Sequence, residues 1–185
     1  MAQAAFLRES GTANPYSLVI DPDGDLILAV GEDDRRLLKV SSQVLRLSSP
    51  VWRVMLDGRF QEGQTAFNRQ DPPRIVLHED DTRAMITLCN YLHHRGISIK
   101  DNPDRLVELA IVCDKYDCAK AMVWWFRAHF ASSFPEPIGR KSVFASSARK
   151  LNPGEIMALS YVFGDQPIFW QATRHMLFEY SQKVL

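Results

Sequence analysis

The chain has 185 residues with 22 basic and 22 acidic side chains, so its formal net charge is zero. Hydrophobic residues make up 46% and charged residues 24%, a globular composition that excludes disordered, collagenous and coiled-coil chains. Balanced charge removes the bulk basic footprint that nucleic acid or an anionic membrane requires, and a core of this size needs neither metal nor disulfide to stabilise it.

Residues 1–16 lack periodicity and read as a tail. Ser17-Leu-Val-Ile20 is a short apolar run, and Asp21-Pro-Asp-Gly-Asp25 is a turn because Pro presets φ and Gly tolerates φ > 0. The five-residue turn permits local pairing of that run with Leu26-Ile-Leu-Ala-Val30, which reads as a buried strand. Gly31-Glu-Asp-Asp34 turns, and Arg36-Leu-Leu-Lys-Val40 returns as the second arm of a hairpin.

Ser41 or Ser42 caps a short helix carrying Val44, Leu45 and Leu47. Ser49-Pro50 starts a second, with Val51, Val54 and Met55 at i, i+3, i+4 and Asp57-Gly58 ending it. The segment 61–70 is polar. Ile75 and Leu77 alternate in a strand at Arg74-Ile-Val-Leu-His78. Asp80 or Asp81 caps a helix with Met85, Leu88, Cys89 and Leu92 on one face. Gly96 and a short Ile97-Ser-Ile99 follow. Asn102-Pro103 opens a helix with Leu106, Leu109, Ala110, Cys113 and Tyr116. The chain restarts near Asp117 with Met122, Trp125, Phe126 and Phe130 on one face.

Residues 132–149 read as a linker, mildly basic through Arg140 and Lys141. Asn152-Pro153 opens a helix with Ile156, Leu159 and Phe163, and Gly164 suits its C′ position. Asp165 and Pro167 start the last helix, with Phe169, Ala172, Met176 and Tyr180 as its stripe. The order is α+β, with helix outweighing strand.

The three cysteines, Cys89, Cys113 and Cys118, are odd in number and lie in apolar patterns. That suits buried thiols in a reducing compartment. With no run of 18 apolar residues and no secretory signal at the N-terminus, a cytoplasmic or nuclear location is expected.

The chemistry-bearing residues do not add up to a reaction centre. An EF-hand reading of Asp21 to Glu32 fails because its sixth position, which needs Gly, is Leu26. Cys113 and Cys118, five apart on expected helix, turn about 140° from each other. His93 and His94 are adjacent and diverge on a helix, while His78, His129 and His175 lack spaced partners. There is no nucleophile elbow and no phosphate loop, and Cys118 beside Asp117 would need a distant basic group to activate it, so a thiol- or zinc-dependent enzyme using Cys118 stands only as the last alternative. Trp124-Trp125-Phe126-Arg127 suits a core and a protein contact better than base stacking at this charge balance. Arg140-Lys141 and Arg149-Lys150 read as solvated positions.

Several strings in order resemble the BTB/POZ domain of the filamentous-fungal type. They are Gly24-Asp25-Leu-Ile-Leu-Ala-Val30, Leu38-Lys-Val-Ser-Ser-Gln-Val-Leu45 and Ser49-Pro-Val-Trp-Arg-Val-Met-Leu56, followed by Phe60-Gln-Glu62. Further on come Ile75-Val-Leu-His-Glu-Asp-Asp81, Asn90-Tyr-Leu-His-His-Arg95 and Leu109-Ala-Ile-Val-Cys-Asp-Lys-Tyr-Asp-Cys118. Tyr161-Val-Phe-Gly-Asp165 looks like the helical extension of such chains.

The resemblance implies a small sheet capped by helical hairpins. It assigns a tail over 1–16, the BTB/POZ domain over 17–131, a linker over 132–149 and a C-terminal helical extension over 150–185. It implies a non-catalytic protein–protein interaction module that binds itself or another protein, with the hairpin 41–55 and the N-terminal strand contributing to a homodimer. A scaffold role, or substrate adaptation for a cullin-type ubiquitin ligase, is the implied setting. Neither small-molecule substrate, cofactor nor metal is expected, and no catalytic residue is assigned. Two departures are visible. Ser41-Ser42 stand where many relatives carry His and a basic residue, leaving Asp25 without that partner. In the third helix, Met85 and Thr87 stand at the hydrophobic-x-Glu positions through which many members contact the cullin scaffold.

Overall fold

A computed structural model describes residues 17–32, 36–57, 67–96, 103–131 and 151–183. In chain order the elements are β1 (Leu18–Val19), β2 (Leu26–Val30), β3 (Arg36–Val40), α1 (Ser42–Ser48), α2 (Pro50–Met55) and β4 (Arg74–Leu77). Five further helices follow: α3 (Thr82–Leu92), α4 (Pro103–Lys115), α5 (Ala119–Ala131), α6 (Pro153–Val162) and α7 (Gln166–Lys183). The architecture is mixed α+β, with a four-stranded sheet in the order β1-β3-β2-β4.

β2 is central, and all five of its residues are buried. A strand covered on both faces reads as a continuous apolar run rather than an alternation. β3 pairs with it antiparallel, Leu28 opposite Leu38. β4 flanks its other edge in parallel, Leu28 opposite Ile75, and alternates exposed and buried as a strand with one covered face does.

The N-terminal strand does not pair locally. β1 runs parallel to β3, Leu18 opposite Leu38, because β3 and β4 already occupy both edges of β2. The turn after it is tight. Gly24 N–H donates to the Asp21 carbonyl at 3.0 Å, and a Cβ on Gly24 would stand 2.6 Å from the Val40 carbonyl oxygen. Only glycine fits that approach.

Helix starts follow the capping residues. The side chains of Ser41, Ser49, Asp81 and Asn152 accept from backbone N–H groups in the first turns of α1, α2, α3 and α6. Asn152 and Glu155 form a reciprocal capping box. Three helix ends share one closure. Arg95 N–H reaches the Asn90 carbonyl, Cys118 N–H that of Cys113, and Asp165 N–H that of Ser160, each at 2.8 Å. The left-handed residues of these turns are His94 (φ 55°), Asp117 (φ 48°) and Gly164 (φ 65°).

The core is one cluster running from β2, β3 and β4 through α1 and α2 to α3, α4, α5 and α6. The stripes Met85, Leu88, Cys89, Leu92 and Leu106, Leu109, Ala110, Cys113 are buried as their spacing predicts. The C-terminal helices join this core. α6 packs against α4 as well as α7, and Phe163 stacks on Phe126 with centroids 4.4 Å apart.

Three expected faces differ. In α2 the buried residue is Trp52, and Val51 and Val54 point outward. The single large ring outweighs the periodic valines. Cys118 lies in the connection between α4 and α5 rather than on a helix. In α7, Ala172 is buried but Met176 is exposed. The tail, the segment 58–66, Ile97 to Ile99, Asn102 and the linker with Arg140, Lys141, Arg149 and Lys150 lie outside the described residues. So do the side chains of His129, Phe130 and Tyr180.

Candidate interaction surface

The α1–α2 hairpin is anchored from beneath at several points. Ser41 caps α1 through a contact from Val44 N–H at 3.4 Å, and its own N–H donates to His93 Nε2 at 3.0 Å. Ser42 donates twice to Asp25, from N–H to Oδ1 at 2.7 Å and from Oγ to Oδ2 at 2.8 Å. The sequence leaves Asp25 without a basic partner, yet Ser42, 17 residues away, occupies both carboxylate oxygens, one through its backbone N–H and the other through its hydroxyl. Arg53 Nε donates to the Arg46 carbonyl at 3.3 Å, tying α2 to α1.

Ser49 does two jobs between the helices. Its Oγ accepts from Trp52 N–H at 2.9 Å and donates to the Tyr116 carbonyl. Trp52 is fully buried. Tyr116 OH donates to Asp80 Oδ2 at 2.5 Å, and Lys115 Nζ donates to Asp80 Oδ1 at 2.7 Å. The buried carboxylate is therefore doubly satisfied, as a buried charge requires. Burial, reinforced by the Asp80 carboxylate, pushes the Tyr116 hydroxyl pKa up.

The outer face of this hairpin is apolar. Leu47 is 73% exposed, Val54 44% and Val51 38%, and exposed Gln43 and Arg53 lie on the same two helices. Apolar positions bordered by polar ones have the composition of an interface core and rim. α1 and α2 can leave these side chains in water because Leu45 and Trp52 carry the inward packing.

A second exposed set lies on the last three helices. Trp124 is 71% exposed, with the Arg127 guanidinium 5.4 Å from its ring centroid. Arg127 Nε also meets Asp165 Oδ2 at 3.3 Å. Trp125 is half-buried and Phe126 fully buried, so the aromatic triplet divides between core and surface. Trp170 is exposed, with the Arg174 guanidinium 5.5 Å from its ring centroid, and Tyr161 and Leu177 are exposed as well.

The other sequence candidates do not converge. Among the described residues no three of His, Cys, Asp and Glu form a group able to hold a metal. Asp21 Oδ1 accepts from Asp23 N–H at 2.9 Å, within the turn. Cys89, Cys113 and Cys118 are buried free thiols. Burial pushes Cys118 up to about 11, opposed by the Ser49 hydroxyl and aided by Asp117, while burial also raises Cys89 and Cys113. A thiol held protonated is a poor nucleophile. On α3, Met85 is fully buried and Thr87 Oγ1 donates to the Arg83 carbonyl at 2.9 Å. Neither offers the carboxylate contact that the resemblance implies at those positions. What the sequence reading missed is His93 and Ser42, whose roles depend on partners far away in the chain.

Comparison with known protein families finds no match to this chain, and comparison with curated proteins finds none either. Among the described residues no helix is long and apolar enough to cross a membrane.

Proposed function

We propose that the chain is a non-catalytic protein–protein interaction module of the BTB/POZ type, associating with a second copy of itself through the outer face of α1–α2. One observation carries this reading. Leu47, Val51 and Val54 face solvent on a hairpin whose other side is fixed by Trp52, Ser42 and Ser49. Solvent-exposed apolar residues on a preorganised element lose little entropy on docking. The α+β order of elements and the shared core with α6 support the resemblance to a small sheet capped by helical hairpins.

The test is mass in solution at micromolar concentration for the wild-type chain and the double variant L47D/V54D. A wild-type dimer that becomes a folded monomer in the variant supports the reading. A wild-type chain that stays strictly monomeric, or a dimer indifferent to both substitutions, overturns it. Both substitutions are at exposed positions, so folding stability should stay within about 0.5 kcal/mol.

A further inference from the structure

His93 stands at the junction of α3 and α1 and is used as a neutral ring. Its Nδ1 donates to the Cys89 carbonyl at 2.7 Å, and its Nε2 accepts from Ser41 N–H at 3.0 Å. Those two bonds fix the tautomer, with the proton on Nδ1 and the lone pair on Nε2. Ser41 is the N-cap of α1, so the accepting ring nitrogen holds the first turn of that helix.

The geometry points to a pH-operated latch: protonation of the His93 imidazole withdraws the acceptor for Ser41 N–H and frees the first turn of α1 from the end of α3. An imidazolium carries N–H on both nitrogens. Its Nε2–H would face the Ser41 N–H at 3.0 Å, two donors without an acceptor, and the pair must part.

The surroundings set the direction. The groups acting on the ring are the Asp21 carboxylate from the β1–β2 turn, and His94 and Arg95 from its own segment. Burial is the largest influence and favours the neutral ring. The Cys89 carbonyl and Asp21 favour the cation, while Arg95 and His94 oppose it. The balance lowers the His93 pKa below the ordinary value near 6.5. Arg95 is itself committed, its Nη1 donating to the Val19 and Ile20 carbonyls at 2.7 Å. The release is local. Ser42 remains bound to Asp25 through N–H and Oγ, and Trp52 remains in the core. The latch does not depend on the self-association proposed above; only its effect on assembly rests on that reading.

The experiment is an NMR titration of the full chain between pH 7.5 and pH 5, reading protection of the Ser41 amide, corrected for intrinsic exchange, and the His93 ring shifts. Protection should fall by up to about tenfold for each pH unit below about 6.5, until the closed-state pKa is passed. The Ser42 amide should hold its protection. In H93F, which lacks the acceptor at every pH, Ser41 should be weakly protected and its protection flat with pH. Constant Ser41 protection while the His93 ring titrates overturns the latch. So does an H93F chain that keeps the wild-type pH-dependent loss. Should H93F fail to fold, the wild-type titration decides alone: Ser41 protection that stays flat from about pH 6.5 down to the midpoint of the ring shifts overturns the proposal.

Discussion

Trp52 lies flat against Tyr116, with ring centroids 4.4 Å apart and planes 6° from parallel. This stack joins the α1–α2 hairpin to the end of α4. Trp52→Ala should cost about 3–5 kcal/mol, the range for deleting a buried aromatic ring. Trp52→Phe should cost distinctly less. Among the described residues the indole N–H finds no acceptor, so phenylalanine discards that donor while keeping most of the ring. Urea denaturation midpoints should rank wild type and W52F above W52A.

Tyr116→Phe removes the hydroxyl that donates to Asp80 and, among the described residues, leaves that buried carboxylate with the Lys115 side chain. The expected cost is about 1–3 kcal/mol near neutral pH. Alkaline behaviour gives an independent check. Burial, then Asp80, raises the Tyr116 pKa above its ordinary value near 10. A raised folded pKa means the contribution is full below about pH 10 and is lost as pH rises through the folded value. Wild-type stability should therefore fall more steeply above pH 10 than that of Y116F, measured by denaturant titration at fixed pH steps.

Phe163→Ala removes the ring stacked on Phe126 and should cost about 3–5 kcal/mol, with α6 and α7 becoming the first sites of protease cleavage. Arg127→Ala should cost under about 1 kcal/mol. Its side chain is 44% exposed, and Asp165 keeps its cap on Ile168 N–H at 3.2 Å. Limited proteolysis and denaturation of the two variants should separate clearly.

The three buried thiols should be silent in the native state. At pH 7.5 a thiol reagent should label none of Cys89, Cys113 and Cys118 within minutes, and all three in denaturant, because burial holds each one protonated and shielded. Native-state mass spectrometry after a short pulse reads the result. Rapid uptake at Cys118 would mean the α4–α5 connection opens far more readily than the core around it.

Short-range chemistry made much of the fold readable. Caps at Ser41, Ser49, Asp81 and Asn152 announce their helices because a side-chain oxygen three residues ahead satisfies a free N–H. The Met85 and Leu106 stripes follow helical periodicity. Long-range pairing was not readable. The turn at 21–25 suggests β1 against β2, but edge availability sends it to β3. Volume decided α2, where Trp52 turned the valines outward. The candidate surface was therefore legible as a segment, 41–55, but not as a face. The bonds that join His93 to Ser41 and Ser42 to Asp25 carry no local signal, since their partners lie 52 and 17 residues apart.

β2 pairs with β3 along its whole length and with β4 from Ile27 to Val30. Leu26-Ile-Leu-Ala-Val30 contains no charge and no proline to interrupt it, so in an unfolded chain it is an adhesive segment of high β preference. Refolding from denaturant should thus be a race between burying this segment and intermolecular clumping. Yield should drop steeply as protein concentration rises, and a lysine at Ala29 would slow clumping while preventing the native state from forming.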